Sequence, residues 1–423
     1  MPAKPEPIQI SIQTARRFIL GDQGLWPTRR WTGKSGTEQA MRAVQHLQLD
    51  PLDIGARAHD FILNARVKNY QKSFYNELVY EDKKFFEWGG WLATRPIEEW
   101  PYWMVFMERS NHSLENYWQN KITRKNRTDI LEILDAEGPK RNRDFKDQRI
   151  EKDYRGGKVS SLTLYQLWIS GEVVSCGRDR FERIYDLTHR FVPAHLIKRA
   201  TDDEAEIFMA KKEVAFRGIA RLDGLKNLLR REISAAEQEK LRERLVTDGI
   251  IVEVKVEGWK ERHYVLTESL PIIKTISAGK IPKQWKPTWS KTAAKPEVIL
   301  LSPLDIVSAR GRAKKLFDFD YVWEVYKPVE QRKWGYYTLP ILWGDQLVGR
   351  IDPGLDRKSG ELRILGFWLE SPKSAKDSKF MKALSASILE LRRLTGAKTI
   401  VIPKQTKMSS ILRAHFKKTL NTV

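Results

Sequence analysis

Gln48 and Asp50 are two polar side chains of one short stretch, VQHLQLDPLDIGARAHDFILNARV (residues 44–67), whose types and spacing suit chemistry. The stretch reads as the end of an amphipathic helix passing into a short strand. Side chains alternate along a strand, so Leu47 and Leu49 face one way and Gln48 and Asp50 the other. The two polar groups then lie side by side, about 7 Å apart by the strand rise. An amide both donates and accepts a hydrogen bond, and a carboxylate holds a negative charge or takes a proton. The Asp50-Pro51 step is expected to start a helix carrying Arg57, His59 and Arg66, and the whole cluster suits chemistry on a polyanion. A structural role is open to the same residues. Asp50 as N-cap, Pro51 at the first helical position and Asp53 in the first turn make a good helix N-terminus. One oxygen can cap while the other faces solvent, so the two roles do not exclude each other. Arg57 and Arg66 can also pair with acids at the core edge, and a lone histidine such as His59 is often a surface hydrogen bonder.

Several elements must position this stretch. Ile10 to Leu20 reads as a helix. Residues 21–37 form a loop with four glycines and Arg29, Arg30 and Lys34, and Thr37 suits an N-cap for a helix ending near His46. Helix, loop, helix and strand in that order resemble the start of a winged helix-turn-helix. Residues 77–120 read as helical and aromatic-heavy, packing between domains or, alternatively, forming an exposed stacking platform. Two later segments share a pattern. LTLYQLWISGEVVSCGRDRFERIYDLT (162–188) and KLRERLVTDGIIVEVKVEGWKERHYVLT (240–267) each give a helix, a glycine stop and a hairpin. A further helix precedes each, Thr128–Glu137 in the first case. Counting the N-terminal one, three winged-helix modules result. Their wing tips carry Arg178 and Arg180, then Trp259, Lys260 and Arg262, all suited to phosphates or a groove. A winged helix also serves as a protein-binding scaffold. Residues 138–158 are charged with both signs, fitting a basic loop near DNA or a plain solvated loop. Residues 275–296, with Pro282, Pro287 and Pro296, read as a linker. Residues 298–369 are β-rich, with VWEVY, GYYTLPILW and ELRILGFWLE as strands of a small barrel or curled sheet. A helix Met381–Leu394 and the strand KTIVI follow.

The expected class is therefore α+β: tandem winged-helix modules followed by a C-terminal β-barrel-like domain. The expected boundaries are 1–122 for an N-terminal module with an aromatic helical extension, 123–200 and 201–274 for the second and third modules, 275–296 for the linker, and 297–423 for the barrel-like domain with a basic tail.

Composition narrows the partner. The 423 residues carry 75 Lys and Arg against 54 Asp and Glu, a net charge of +21. Such an excess points to a polyanion, most often nucleic acid. It is uneven: from Ser371 onward 12 basic residues face only Asp377 and Glu390, a local net of +10. One cysteine, Cys176, excludes an internal disulfide framework and a Cys-rich zinc site, and the seven histidines show no ligand spacing. No metal and no cofactor are expected. No apolar run reaches the roughly 18 residues of a membrane span, and MPAKPEPIQI does not read as a secretory signal. A reducing, intracellular, cytoplasmic and nucleoid-associated setting is expected.

On these residues a resemblance appears. The opening stretch, RFERIYDLTHRFVP, the VEGWKERHYVL wing and the long segment from LLSPLDIVSARGRAKKLFDFDYVWEVYKPVEQRKWGYYTLPILWGD to ELRILGFWLE resemble the winged-helix DNA glycosylases of interstrand-crosslink repair, the AlkZ/YcaQ-like enzymes. The resemblance covers nearly the whole chain in the same order. It implies tandem winged helices and a barrel forming a DNA-binding channel, and hydrolysis of the N-glycosidic bond of N7-alkylguanine, interstrand crosslinks included. The family signature Gln-x-Gln or Gln-x-Asp falls on Gln48-Leu49-Asp50. Arg57, His59, Arg66, the wing residues above, Arg332 and Lys333 are the expected DNA-binding set. The chain departs from the pattern at Trp88-Gly89-Gly90-Trp91, where relatives carry Trp-Ala-His-Glu, and at 140–160, which is longer and more charged. The implied activity is that of a monofunctional glycosylase leaving an abasic site, acting as a monomer on double-stranded DNA with alkylated or crosslinked guanine. The competing expectation is a non-catalytic winged-helix DNA-binding transcriptional regulator, indifferent to Asp50. A metal-dependent nuclease would need more carboxylates and a lysine near Asp50 and Asp53 than this stretch offers.

Overall fold

The computed structural model describes residues 6–89, 91–119, 121–145, 159–290, 296–404 and 410–420. Helices and strands mix along the chain, which divides into two units: Pro5–Phe74 with Ala215–Arg221 and Val252–Val423, and Tyr75–Val214 with Leu222–Ile251.

The unit that holds Gln48 and Asp50 begins with the helix Ile12–Asp22, whose N-terminus is capped by the Ser11 hydroxyl accepting from Thr14 N. The next helix, Gly33–Ala43, starts at Thr32. Thr37 is therefore not its cap but lies inside it, with its hydroxyl bonded to Gly33 O at 2.9 Å. The stretch read as a linker is packed. The helix Leu270–Ser277 enters it, and Trp285 is buried against Phe18 and Trp26 with ring centroids 6.3 and 6.2 Å away. A Cβ on Gly21 would lie 2.0 Å from the Trp285 ring, so only glycine permits this docking. Residues 291–295, also in that stretch, lie outside the described residues.

The same unit holds a five-stranded sheet in the order Val298–Leu300, Leu339–Trp343, Gln346–Asp356, Glu361–Leu369, Thr399–Val401. Neighbours are antiparallel except the last pair, which is parallel. Irregularities at Ile341/Leu342 and Asp352/Pro353 curl it. Among the described residues its two edge strands do not meet, so it is a curled half-barrel rather than a closed one. VWEVY is not a strand. The buried Glu324 carboxylate takes hydrogen bonds from Trp334 N and Gly335 N, 2.7 and 3.4 Å away, and folds that segment into a loop. The helix Ser378–Thr395, capped by Asp377, buries Phe380, Met381, Leu384, Ile388 and Leu391, with Phe380 edge-on to Trp343. The hairpin Ile251–Val256 and His263–Leu266 gains Ile8–Ile10 as a parallel third strand.

In the other unit the aromatic stretch departs from its helical expectation. Phe85–Trp88 and Ala93–Pro96 form an antiparallel hairpin with Phe86 opposite Arg95, and only Trp100–Ser113 continues as a long helix. Phe85, Phe86, Trp88, Trp103 and Phe106 are buried, so these rings are core and not a stacking platform. Beyond them come the helices Arg124–Glu137 and Val159–Ile169, then the hairpin Val173–Asp179 and Glu182–Leu187, joined by Lys140–Arg141 as a third strand. The glycine stop falls at Gly171 with φ +79, as the helix–glycine–hairpin pattern requires. Of the charged 138–158 segment, residues 146–158 lie outside the described residues.

Buried ion pairs lock the first unit. Arg66 and Asp305 are both 0% exposed and pair at 2.6 and 3.0 Å, while Arg66 also reaches Ile62 O and Gln23 Oε1. Arg29 joins Glu297 at 3.0 Å and Glu390 at 2.7 Å, and Glu297 further accepts from Lys68 and Thr28. Burial alone would raise the Glu297 carboxyl, but the Arg29 charge and the hydrogen bonds from Arg29, Lys68 and Thr28 hold it down at about 2.

We expect Arg66→Met to destabilise the protein by about 3–5 kcal/mol in urea unfolding, because Asp305 is left charged and dry. Replacing both partners with apolar residues should recover much of that loss. A single mutant as stable as wild type would show the pair to be dispensable. A second expectation concerns pH. The Glu297 carboxyl is depressed from 4.5 to about 2, so its contribution, up to about 3 kcal/mol, is present in full above pH 4.5 and is lost as pH falls toward 2. Glu297→Gln should therefore lower the midpoint at pH 7, with a gap to wild type that narrows steadily below pH 4.5. A gap independent of pH would contradict this account.

Candidate active site

Gln48 closes the two-residue strand Leu47–Gln48 and is half-buried, and Leu47 and Leu49 are buried. The alternation expected from the sequence holds locally. Among the described residues the Gln48 amide makes no hydrogen bond, which leaves both its donor and its acceptor available.

The chain after Gln48 differs from expectation. No helix starts at Asp50-Pro51; the next helix is Ala58–Asn64, and residues 49–57 form a loop. Asp50 is therefore not its N-cap. One Asp50 oxygen accepts from Leu52 N at 2.9 Å, a local turn that fixes the carboxylate, and the other oxygen has no hydrogen bond among the described residues. The capping task falls to Asp60, whose carboxylate takes Arg57 N at 3.0 Å.

The loop is clamped from several sides. Asp53 accepts from Gly55 N at 2.8 Å and pairs with Arg57 at 3.4 Å and Arg357 at 3.0 Å. Burial would raise its carboxyl, yet the Gly55 N–H and the Arg57 and Arg357 charges outweigh that and hold it below the usual carboxylate range. Lys72 donates to Gly55 O. Gly55 has φ +105, and a Cβ there would come within 2.8 Å of Thr395 Cβ and 3.0 Å of Leu355 Cδ2. Only glycine lets the loop lie this close to its support. The result is an amide and a half-free carboxylate on a rigid mount.

Other expected site residues have different fates. Arg66 is sealed in its pair with Asp305 and cannot reach a phosphate. His59 is 8% exposed, with Nε2 3.8 Å from Asp60 Oδ1, and lies in the core rather than on a DNA-facing surface. Arg57, half-buried, is engaged by Asp53. In the other unit Arg178 is not a wing-tip phosphate contact. Its guanidinium grips the fully buried Glu87 at 2.6 Å, and Glu87 also accepts from Tyr75 and Tyr80. Arg180, at the tip with φ +60, is exposed. On the turn of the hairpin Ile251–Val256 and His263–Leu266, Lys260 and Arg262 are exposed, Arg262 lying 3.4 Å from Glu253. Trp259 is half-buried between His263, 4.6 Å away by ring centroids, and the Lys315 ammonium, 4.1 Å away. Arg332 lies over Tyr336 and Lys333 over Trp334, in a loop whose Tyr326 is 88% exposed.

Sequence reasoning missed Arg357, which lies 304 positions from Asp53, and Tyr337, which packs on Phe61 with centroids 5.7 Å apart. Neither has a local signal, because each acts through long-range packing. Of the Trp88–Trp91 departure, Gly90 lies outside the described residues, while Trp88 is buried and donates to Ile169 O at 3.1 Å. Among the described residues no three His, Cys, Asp or Glu side chains gather to hold a metal, and no helix is long and apolar enough to cross a membrane.

Comparison with known proteins bears on this arrangement. The family described as DNA glycosylase AlkZ-like matches residues 41–394, from before the Gln48–Asp50 pair to the end of the helix that supports its loop. Among solved structures, Streptomyces sahachiroi DNA glycosylase AlkZ aligns with a TM-score of 0.61 at 16% identity, covering 94% of this chain and 100% of that one. At that identity the likeness concerns the fold.

The two arginines of one hairpin should behave differently. We expect Arg178→Gln to lower stability by about 3–5 kcal/mol, since Glu87 would remain buried and unpaired, while the salt dependence of DNA binding stays as in wild type. Arg180→Gln should reduce the slope of log K against log salt by about one. An unchanged slope for Arg180→Gln would remove it from the phosphate contacts.

Proposed function

Because the chain belongs to the AlkZ-like DNA glycosylase family, we propose that it hydrolyses the N-glycosidic bond of N7-alkylguanine in duplex DNA, including the bonds of interstrand crosslinks. The observation that carries this reading is the rigidly held Asp50, with one carboxylate oxygen left open beside the unengaged Gln48 amide.

The chemistry follows from charge. N7-alkylation makes guanine a cation, already a good leaving group. As the bond to C1′ breaks, positive charge builds on the sugar, as in glycoside hydrolysis. Asp50 supplies a fixed negative charge for that state and accepts the proton of the attacking water. Gln48 orients the water by its amide. The C1′–O bond forms, the C1′–N9 bond breaks with its electrons going to the base, and neutral N7-alkylguanine leaves. Lys72, a lysine that reaches this loop, directs its ammonium to Gly55 O. The Gln48-Leu49-Asp50 signature offers no lysine for a Schiff base with the sugar, so the product is an intact strand with an abasic site. A crosslinked base cannot be flipped fully into a deep pocket, so an open site suits this substrate range.

The same reading takes the helix–hairpin segments of 123–200 and 201–274 as tandem winged helices that hold DNA, with Lys260, Arg262, Arg180, Arg332 and Lys333 among its contacts. The basic segment beyond Ser371, where Lys376, Lys379 and Lys382 are exposed, adds affinity independent of sequence. A monomer acting at the nucleoid fits these assignments.

The test is a panel of duplexes in EDTA under single-turnover conditions, carrying N7-methylguanine, an N7-linked interstrand crosslink or uracil. Wild type should release the first two bases and ignore uracil. Asp50→Asn should abolish release while changing DNA affinity by no more than a few-fold, since the carboxylate acts in the chemical step. Asparagine turns the local backbone about as well as aspartate, so an Asp50→Asn protein with a wild-type rate would reject the catalytic role. Efficient uracil release would reject the charge argument.

A further inference from the structure

Val322, Tyr326 and Val329 are 54%, 88% and 73% exposed. Among the described residues no other large hydrophobic side chain is as exposed as any of these three, and they fall within eight positions of one loop. Single exposed apolar side chains are ordinary on a protein surface, but a cluster of them marks a contact. The loop that carries them is closed on itself. The buried Glu324 accepts from Lys327 Nζ at 2.9 Å as well as from Trp334 N and Gly335 N. Lys327 N donates to Glu324 O at 2.9 Å, and Arg332 Nε donates to Lys327 O at 2.9 Å. The Tyr326 ring meets Trp323 edge to face, with centroids 6.0 Å apart, and at its exposure a face of the ring stays open to solvent. Folding therefore holds an aromatic ring out in water rather than hiding it.

Two features of the surroundings say what the ring meets. The first is charge. Arg332 lies over Tyr336 and Lys333 over Trp334, 4.9 and 4.5 Å from the ring centroids, so both cations are held beside the apolar tip. Glu330 is the one exposed acid between Val322 and Tyr336. The second is position. The end of the loop is fixed to the strand Gln346–Asp356, where Asp352 Oδ1 takes Tyr337 N at 3.0 Å. Leu355 of the same strand supports Gly55 of the Asp50 loop. Asp352 and Leu355 are three positions apart, about 10 Å by the strand rise, which is about three base steps of DNA. Trp323, Tyr337 and Phe61 continue the series of rings, at centroid distances of 5.9 and 5.7 Å, to the helix that follows the Asp50 loop. We propose that Tyr326 is a stacking residue for the DNA substrate: its ring packs on a nucleobase within a few steps of the nucleotide at the Asp50 loop, flanked by Val322 and Val329, while Arg332 and Lys333 meet the adjoining phosphates. Every base has a π-face, so such a contact is independent of sequence. An apolar side chain placed at a base step also loosens the stacking there, which suits an enzyme that must expose a sugar within a duplex. The inference rests on the proposed reading that duplex DNA is the substrate, and it uses no step of the hydrolysis.

The test compares full-length Tyr326→Ala and Tyr326→Phe, each also carrying Asp50→Asn so that the duplex stays intact, with Asp50→Asn alone. The probes are duplexes with one N7-methylguanine and with 2-aminopurine at one of the three steps to either side of it. We expect Tyr326→Ala to bind about 10- to 100-fold more weakly. The slope of log K against log salt should stay the same, because no charge is removed. Binding of the parent should change the 2-aminopurine fluorescence at one of those steps. Tyr326→Ala should lose that change, while Tyr326→Phe keeps both the change and the affinity. A Tyr326→Ala protein that binds within about two-fold of the parent, with the fluorescence change intact, overturns the proposal and leaves the patch to a protein partner or a second copy of the chain. A Tyr326→Phe protein as impaired as Tyr326→Ala overturns it too, since the hydroxyl and not the ring would then matter. So does a loss of affinity that only follows a loss of melting temperature. Failure of the catalytic reading shows in a different measurement, as base release by Asp50→Asn or none by wild type.

Discussion

The buried pair of Arg66 and Asp305 is the constraint on which the site-bearing unit depends. Taking both charges out of water costs several kcal/mol per ion, and attraction offsets this only when every donor and acceptor is well placed. The guanidinium meets that condition by holding Asp305 twice, Ile62 O once and Gln23 Oε1 once. Those partners come from the C-cap of the helix Ile12–Asp22, the end of the helix Ala58–Asn64 and the turn at 302–308. A slip of any of the three would leave a charge stranded. The pair thus fixes the end of the helix behind the Asp50 loop relative to the turn at 302–308. Its value is less in net stability than in permitting one arrangement and excluding its neighbours.

Much of the positive charge is used in the same way. Arg29, Arg66, Arg95, Arg178 and Arg350 are buried or nearly so, and each is held by carboxylates, carbonyls or aromatic faces. Burial brings the Arg95 guanidinium down to about 9 despite Glu99 nearby. Arginine suits such places because its planar fork pairs in two directions and it is weakly hydrated. The excess of +21 therefore overstates what a polyanion meets. Lysines such as Lys260, Lys333, Lys376, Lys379 and Lys382 are the exposed part of the charge, and on the proposed reading they are the groups that would release counterions.

This division marks where the sequence was legible. Helix, glycine stop and hairpin in 162–188 could be read because a glycine with positive φ ends a helix by a local rule, and period-2 alternation is legible in the burial of Leu47 and Leu49 against half-buried Gln48 and Asp50. Local rules also misled. Asp-Pro with a later acid is a helix start by propensity, yet the clamps on Asp53 and Gly55 hold residues 49–57 as a loop, and tertiary contacts overrode the cap. In 85–96 the aromatic run matched a buried helix as well as a buried strand, an ambiguity that periodicity alone does not resolve. Arg66, Arg178 and His59 look like surface cations in sequence, since nothing local reveals Asp305, Glu87 or the core around Asp60. Arg357 and Tyr337 act across roughly 300 residues, and no spacing rule reaches that far.

An aspartate, rather than a second amide, beside Gln48 has a chemical consequence on the proposed reading. An amide can orient water and present a partial dipole, but it takes no proton and offers no full charge. A carboxylate supplies both, and its effect is largest where charge exists only in the transition state. The Leu52 N–H bond to one oxygen limits the cost of aiming it, since the group is already oriented when the sugar charge appears. The leaving side of the reaction needs no comparable device when the base departs from a cationic ring. A neutral base would leave as an anion and require a donor on its own side, and His59, the nearby acid visible in sequence, is buried beside Asp60. Selectivity for cationic lesions then follows from the placement of one charge on the sugar side and the lack of an assigned donor on the other.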